Sequence, residues 1–248
     1  MTRTLSASFA LAAILAVAVP AFAQRTEERV DRTFTVEPGG TLRLKTFSGR
    51  VTITGTPGNQ VVIHAVRRAP ADRLADIKLE ITQSGSTIEV DANHRLVDRD
   101  RDNVVETDFD IQVPSRTRLD IDTFSAPVTV TGVAGNHDIN GFSSGIRLAD
   151  VSGALEVKTF SGDVNITASS WSDGDDVELT TFSGEIELKL PENARGNLRF
   201  NSFSGDFNSD LPVTLTSSSK RNFRGALNGG GNTGFRLKTF SGDVSIRR

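Results

Sequence analysis

The sequence predicts an all-β fold, a β-solenoid-like stack of strand repeats of about 18–22 residues with an N-terminal region of capping strands. Three observations carry this. Phe-Ser, usually followed by Gly, recurs at Phe47, Phe124, Phe142, Phe160, Phe182, Phe203 and Phe240. The third residue before each Phe is apolar (Leu44, Ile121, Ile139, Val157, Leu179, Phe200, Leu237), and so is the fourth after it (Val51, Val128, Ile146, Val164, Ile186, Phe207, Val244). Polar residues such as Arg43 and Lys45, or Glu156 and Lys158, alternate with them, which is the period of a half-buried strand. Finally, Phe124 to Phe142 and Phe142 to Phe160 are 18 residues each, and the next steps are 22 and 21. A unit that short cannot bury its apolar face alone and must stack on its neighbours.

Each unit reads as strand, kink, strand. The two apolar positions flanking the Phe are seven residues apart, so an uninterrupted strand would send them to opposite faces. One residue must be absorbed between them. Gly49, Gly162, Gly184, Gly205 and Gly242 mark the place, where a bulge or tight turn at positive φ is expected. Ala126 and Ser144 replace Gly in the other two copies.

Taken in order, the chain opens with a short basic region at Arg3, an apolar run from Leu5 to Val19 and an Ala21-x-Ala23 cleavage pattern. Residues 1–23 therefore read as a signal peptide, too short to span a membrane. Residues 24–117 form an N-terminal β region that includes the first repeat, and 118–248 the repeat array. After a charged leader from Arg25 to Arg32, Thr33–Val36 alternates as a strand before the turn at Pro38-Gly39-Gly40, and the first repeat follows at 41–54. Gln60–Val66 and Ile77–Ile81 read as strands separated by one helical turn near Ala69–Leu74, and Ser84-Gly85-Ser86 as a hairpin turn into Thr87–Val90. Asp98 to Asn103 is a charge run expected to be a solvated loop. Phe109, Ile111 and Val113 alternate up to Pro114, and regular coils run from Arg118 to Leu190. The 37 residues from Phe203 to Phe240, with Ser217-Ser218-Ser219 and Gly229-Gly230-Gly231, predict a loop or irregular coil. The last coil, ending in Arg247-Arg248, is expected at the physical end of the stack, with the basic tail discouraging further pairing and the N-terminal strands capping the other end.

Composition excludes several functions. The chain has no Cys, which removes disulfides, thiolate metal sites, Cys nucleophiles and lipoprotein anchoring. A net charge of −3 with mixed signs gives no reason to expect nucleic acid or anionic lipid as partner, and no second hydrophobic segment predicts a membrane span after cleavage.

Motifs of catalysis and metal binding are weak. Gly141-Phe142-Ser143-Ser144-Gly145 matches the Gly-x-Ser-x-Gly nucleophile pattern, but it is a copy of the repeat with no helix expected after it, and the nearby His137 reads as an exposed turn residue. Asp98, Asp100 and Asp102 alternate as in calcium loops, yet Gly is missing from the sixth position and Phe109 stands where a bidentate Glu is needed. The acidic turn at 172–176 is equally weak, and His64, His94 and His137 lack zinc spacing. Asp163, Glu185, Asp206 and Asp243 share one repeat position, but equivalent carboxylates do not supply the unlike environments of a general acid and base. No catalytic, cofactor-binding or metal-binding residues are assigned.

The Phe column is the unusual feature, seven of the chain's 15 Phe at one repeat position. With the irregularity at Ser-Gly, the rings share parity with Lys45, Lys158 and Lys238 and face outward, stacked at the strand repeat of ~4.8 Å. With the irregularity before the Phe, they join the core, where burial is worth roughly 1.5–3 kcal/mol each. The outward orientation makes Phe47, Phe124, Phe142, Phe160, Phe182, Phe203 and Phe240 a candidate binding stripe.

The signal peptide, the Phe34-to-Leu44 opening with Pro38-Gly39-Gly40, the Ile111-Gln112-Val113-Pro114 step and the Thr-Phe-Ser-Gly-Asp-Val units together resemble the bacterial adhesin-like, "toastrack"-type family of β-strand-repeat proteins, a domain of unknown function. The resemblance covers nearly the whole chain after residue 23. It implies an exported, non-enzymatic protein, periplasmic, extracellular or at the cell surface, that binds or scaffolds there, with an envelope protein or glycan as ligand and self-association through the stripe as a further expectation. An extracytoplasmic sensor or accessory module working with a membrane partner is the alternative, and a polysaccharide-active enzyme a third.

Overall fold

The structure, a computed structural model, describes residues 25–95, 104–168, 171–172, 174–219 and 221–248. Residues 1–23, read above as a signal peptide, and the charge run from Asp98 to Asn103 lie outside the described residues. Ahead of the tight array come β1 (Thr26–Thr35), β2 (Thr41–Thr56), β3 (Gln60–Ala69), a short helix α1 (Ala71–Asp76), β4 (Ile77–Ser84), β5 (Thr87–Arg95) and β6 (Glu106–Pro114). Strand pairs then follow, one per coil: β7 (Arg118–Ser125) with β8 (Val128–Thr131), β9 (His137–Gly141) with β10 (Ile146–Ala149), and β11 (Leu155–Ser161) with β12 (Val164–Thr167). The next pairs are β13 (Val177–Ser183) with β14 (Ile186–Lys189) and β15 (Gly196–Ser202) with β16 (Phe207–Ser209). A hairpin of β17 (Val213–Ser219) and β18 (Asn222–Leu227) precedes the last pair, β19 (Gly234–Ser241) and β20 (Val244–Arg247).

The first strands of the coils form one parallel ladder and the second strands another. Val157 lies between Ile139 and Leu179 in the first ladder, and Val164 between Ile146 and Ile186 in the second. β2 is long enough to supply both strands of its coil, pairing with β7 through its first half and β8 through its second. In-register stacking keeps like side chains together, so each coil buries its inward positions against the same positions above and below. The result is one continuous core from Val36 to Ile246.

Parity places the irregularity after the Phe. In β11, Leu155, Val157 and Thr159 are buried while Lys158 and Phe160 are exposed. Ser161 and Asp163 are then both exposed, and Val164 and Ile166 return to the core, so the corner absorbs the odd residue. The expected positive φ is present at Gly49 (+110°) and Gly242 (+153°) but not at Gly162, Gly184 or Gly205. There Gly is required for another reason, close approach of the coils. A Cβ on Gly162 would sit 2.2 Å from the Ser144 carbonyl oxygen, and one on Gly205 1.8 Å from that of Gly242.

The end of the stack differs from expectation. β19 pairs with both β13 and β15, and β20 with both β14 and β16, so the last coil in sequence is inserted between two earlier ones rather than lying at the end. Arg247 is accordingly inside the ladder, in register with Lys189 and ion-paired to Asp210 at 3.2 Å. The Phe203 coil carries Phe200 and Phe207, which cluster with Phe223 of the following hairpin at centroid distances of 5.0–5.3 Å and plug the end. The inserted coil has Leu237 and Val244 at the equivalent positions and buries Phe235 between Val177 and Leu198. The stretch expected to be irregular is instead the β17–β18 hairpin, which closes this end through antiparallel pairing of β18 with β15.

At the other end β4 pairs with β5, and β1 with β3 and β3 with β6, all antiparallel, over the two halves of β2. The β1 edge carries Glu27, Glu28, Arg29, Asp31 and Arg32, charges that oppose pairing with another strand. Arg67, fully buried, is ion-paired to Glu28 and donates to the Ile77 carbonyl beside a small second core of Ala69, Leu74, Ile77 and Val105.

Candidate functional site

The residue before the Phe decides where the ring goes. Thr46, Thr123, Thr159, Thr181 and Thr239 occupy that position in five coils and are buried. Several of their hydroxyls cap corner carbonyls: that of Thr123 donates to the Ala126 carbonyl of its own corner at 3.0 Å and that of Thr159 to the Ser144 carbonyl of the preceding coil at 3.2 Å. With Thr turned in, alternation turns the Phe out. Six of the rings are 38–47% exposed and Phe203, at the end, 68%.

Along the stack the rings run Phe47, Phe124, Phe142, Phe160, Phe182, Phe240, Phe203. Successive centroids are 4.5–5.0 Å apart with planes within 14° of parallel. Each interior ring therefore covers its faces with its neighbours and shows solvent an edge. Six steps at the strand repeat make a ladder roughly 29 Å long.

Beside the ladder runs a groove of about 1000 Å³. Its other wall is formed by side chains two residues before each Phe, which share the outward parity: Lys45, Asp122, Asn140, Lys158, Thr180, Lys238 and Asn201, with Asp91 and Asn93 at the capped end. The sequence reading singled out only the lysines of this row. Parity contained the rest, but the inserted coil, which brings Lys238 beside Thr180, did not show in the chain order.

Two residues further back the surface is strongly charged. Asp120, Asp138, Glu156 and Glu178 are neighbours on successive coils, and Arg236, Arg199 and Arg224 continue the row. The pKa of Asp138 is raised from the ordinary aspartate value, chiefly because the group is partly desolvated and then because Glu156 and Asp120 repel its charge. Lys158, held by Glu156, is raised. Asp176 is lowered by the Gly234 amide and the Arg236 guanidinium, which it binds at 2.8 and 3.0 Å, fastening the inserted coil.

The other candidates do not assemble. His137 is not an exposed turn residue: it is 3% exposed, pointing into the core in register with Leu119 and Leu155. Burial lowers its pKa, its Nε2 lies 3.2 Å from the Val133 carbonyl, and its Nδ1 has no partner. Ser143 is exposed at the corner, so the hydroxyl and imidazole lie on opposite faces of one coil and form no dyad. The acidic corner positions are exposed and serve the backbone: Asp163 accepts from the Glu185 amide and Asp243 from the Asp206 amide, both at 2.9 Å. Among the described residues, no acidic and histidine cluster has metal-binding geometry, and no helix is long and apolar enough to cross a membrane.

Several solved structures are similar along most of their length. One described as a "putative cell adhesion protein" from Clostridium sporogenes is 15% identical, with TM-score 0.48, covering 89% of this chain and 99% of its own. A "putative adhesin" from Bacteroides fragilis is 13% identical (TM-score 0.37; 88% and 97% covered), and another from Parabacteroides merdae is 8% identical (TM-score 0.30; 89% and 97%). No curated protein matches. The profile of the Toastrack DUF4097 family matches residues 29–247, and the chain belongs to that family.

Proposed function

We propose that this chain is an exported, non-enzymatic binding protein of the cell envelope or cell surface, adhesin-like in its manner of contact, with the Phe ladder and its groove as the binding surface. The observation that carries this is the concentration of exposed large apolar residues. Seven of the eight exposed large apolar residues among the described residues are the Phe of the ladder, the eighth being Leu215 on the β17 hairpin strand. A continuous apolar stripe on an otherwise polar surface marks an interaction site. Even repetition suits contacts that are weak singly and strong together, which is how multivalent surfaces gain affinity. Catalysis is a poorer reading because the outward rows repeat equivalent groups, whereas general acid and base require unlike surroundings.

Two measurements test the proposal. Intact mass of the protein recovered from its native host should show Gln24 as the first residue; retention of Met1 would remove export by this route. Immobilised protein carrying Phe160→Ser and Phe182→Ser should lose most of the envelope components retained by the parent. Unchanged retention would remove the ladder as the contact surface.

A further inference from the structure

We infer that the groove takes a detached single-chain amphiphile, its apolar tail lying along the ring edges and its anionic head at the Phe203 end. This rests on the ladder being the binding surface and specifies what it binds.

The geometry of the rings narrows the ligand. Sugars stack on aromatic faces, and here the faces of interior rings are already covered by neighbours 4.5–5.0 Å away. Only edges are offered, and these suit aliphatic contact. The ladder is also chemically uniform, identical rings at even intervals. An extended peptide presents side chains to one side every ~6.8 Å, out of step with rungs at ~4.8 Å. A polymethylene tail has no side-chain register to satisfy and can contact every rung.

Charge fixes the direction. At the Phe47 end the groove is lined by Asp91 and Asp122 with Lys45 in register between them, a net negative charge; from Asn140 onward the lining contains Lys158 and Lys238 and no acid. Behind Lys238 stand Arg199 and Arg224, adjacent in register and exposed, with no carboxylate partner among the described residues. Lys158 is engaged by Glu156, which leaves Lys238 as the cation facing the groove nearest these arginines. An anionic head is attracted there and repelled from the opposite end.

The test is calorimetric titration with saturated fatty acids of 10 to 18 carbons, held below their aggregation limits, against the matched alcohols. Affinity should rise about two- to fourfold per added methylene. Lys238→Gln should weaken the acids roughly fivefold or more and leave the alcohols unchanged, as loss of a charge-assisted contact does. Phe160→Ser with Phe182→Ser should weaken both. Lys238→Gln leaves the rings intact, so it decides the matter even if the ring variants fold poorly. Affinity independent of chain length, an equal effect of Lys238→Gln on acids and alcohols, or binding to anionic phospholipid vesicles without binding of monomeric acids would each overturn the inference. If fatty acids fail while envelope components are still retained in a ladder-dependent way, the amphiphile falls alone. If retention is also independent of the ladder, the binding proposal falls with it.

Discussion

A buried histidine and a crowded glycine show how individual positions serve a stacked fold. His137 stands where neighbouring coils place Leu, and burial holds its pKa below the ordinary histidine value. Below about pH 6.5 the unfolded chain takes up the proton more readily than the native one, so this site's contribution to stability falls as the solution is acidified. His137→Leu should remove that loss. Urea midpoints at pH 7.5 and pH 5 should diverge more for the parent than for the variant; an equal drop in both would mean that the imidazole is not desolvated. Gly162 makes a different demand, because a Cβ there would meet the Ser144 carbonyl oxygen at 2.2 Å. Gly162→Val should cost about 1–3 kcal/mol by overpacking two backbones. Asp163→Val removes one exposed hydrogen bond to the Glu185 amide, about 0.5–1.5 kcal/mol. Denaturant midpoints of the two variants compare these directly, and equal values would place the close approach elsewhere.

At the scale of the element, the strand-corner-strand unit assigns each position a task. Thr turns in to close the corner, Phe turns out, Gly lets the next coil approach, and the following acid caps an amide. An exposed stacked ring should therefore be cheaper to lose than a core ring. Phe160→Ala forfeits two stacking contacts, each worth about 0.5–1.5 kcal/mol. Phe200→Ala, fully buried in the aromatic plug, should cost about 3–5 kcal/mol. Chemical denaturation of both variants checks the difference, and equal costs would contradict an exposed ladder. Much of this element was legible in the sequence. Period two gave the strands, the seven-residue separation of apolar positions required an absorbed residue, and parity with Lys158 pointed the Phe outward. Glycine's role was not legible, because a positive φ and an interchain-like backbone contact within the stack select the same residue. His137 was misread for a related reason: a polar residue in a core column breaks the apolar pattern that reveals the column.

For the whole molecule, chain order and spatial order part company. Nothing in the spacing of the repeats distinguishes a last coil at the end of the stack from one inserted inside it, since Lys238–Val244 repeats Lys158–Val164 residue for residue. What marks the end is the aromatic cluster: Phe200, Phe207 and Phe223 form a plug against the hairpin, and the terminal coil lies between that plug and β13. The absence of any native Cys allows a direct test. Glu178 and Arg236 are register partners on adjacent parallel strands, as are Arg236 and Arg199, whereas Glu178 and Arg199 are separated by the inserted strand. Neighbouring strands lie about 4.8 Å apart, within disulfide reach, and next-nearest strands about twice that, beyond the roughly 7 Å limit. The double variant Glu178→Cys with Arg236→Cys should oxidise to an intramolecular crosslink, seen as a gel shift that reductant reverses, and Glu178→Cys with Arg199→Cys should not. The opposite pattern would mean that the coils stack in the order in which they are synthesised, and with Phe240 moved to the end the ladder would lose the succession of rings that sets Lys238 between Thr180 and Asn201.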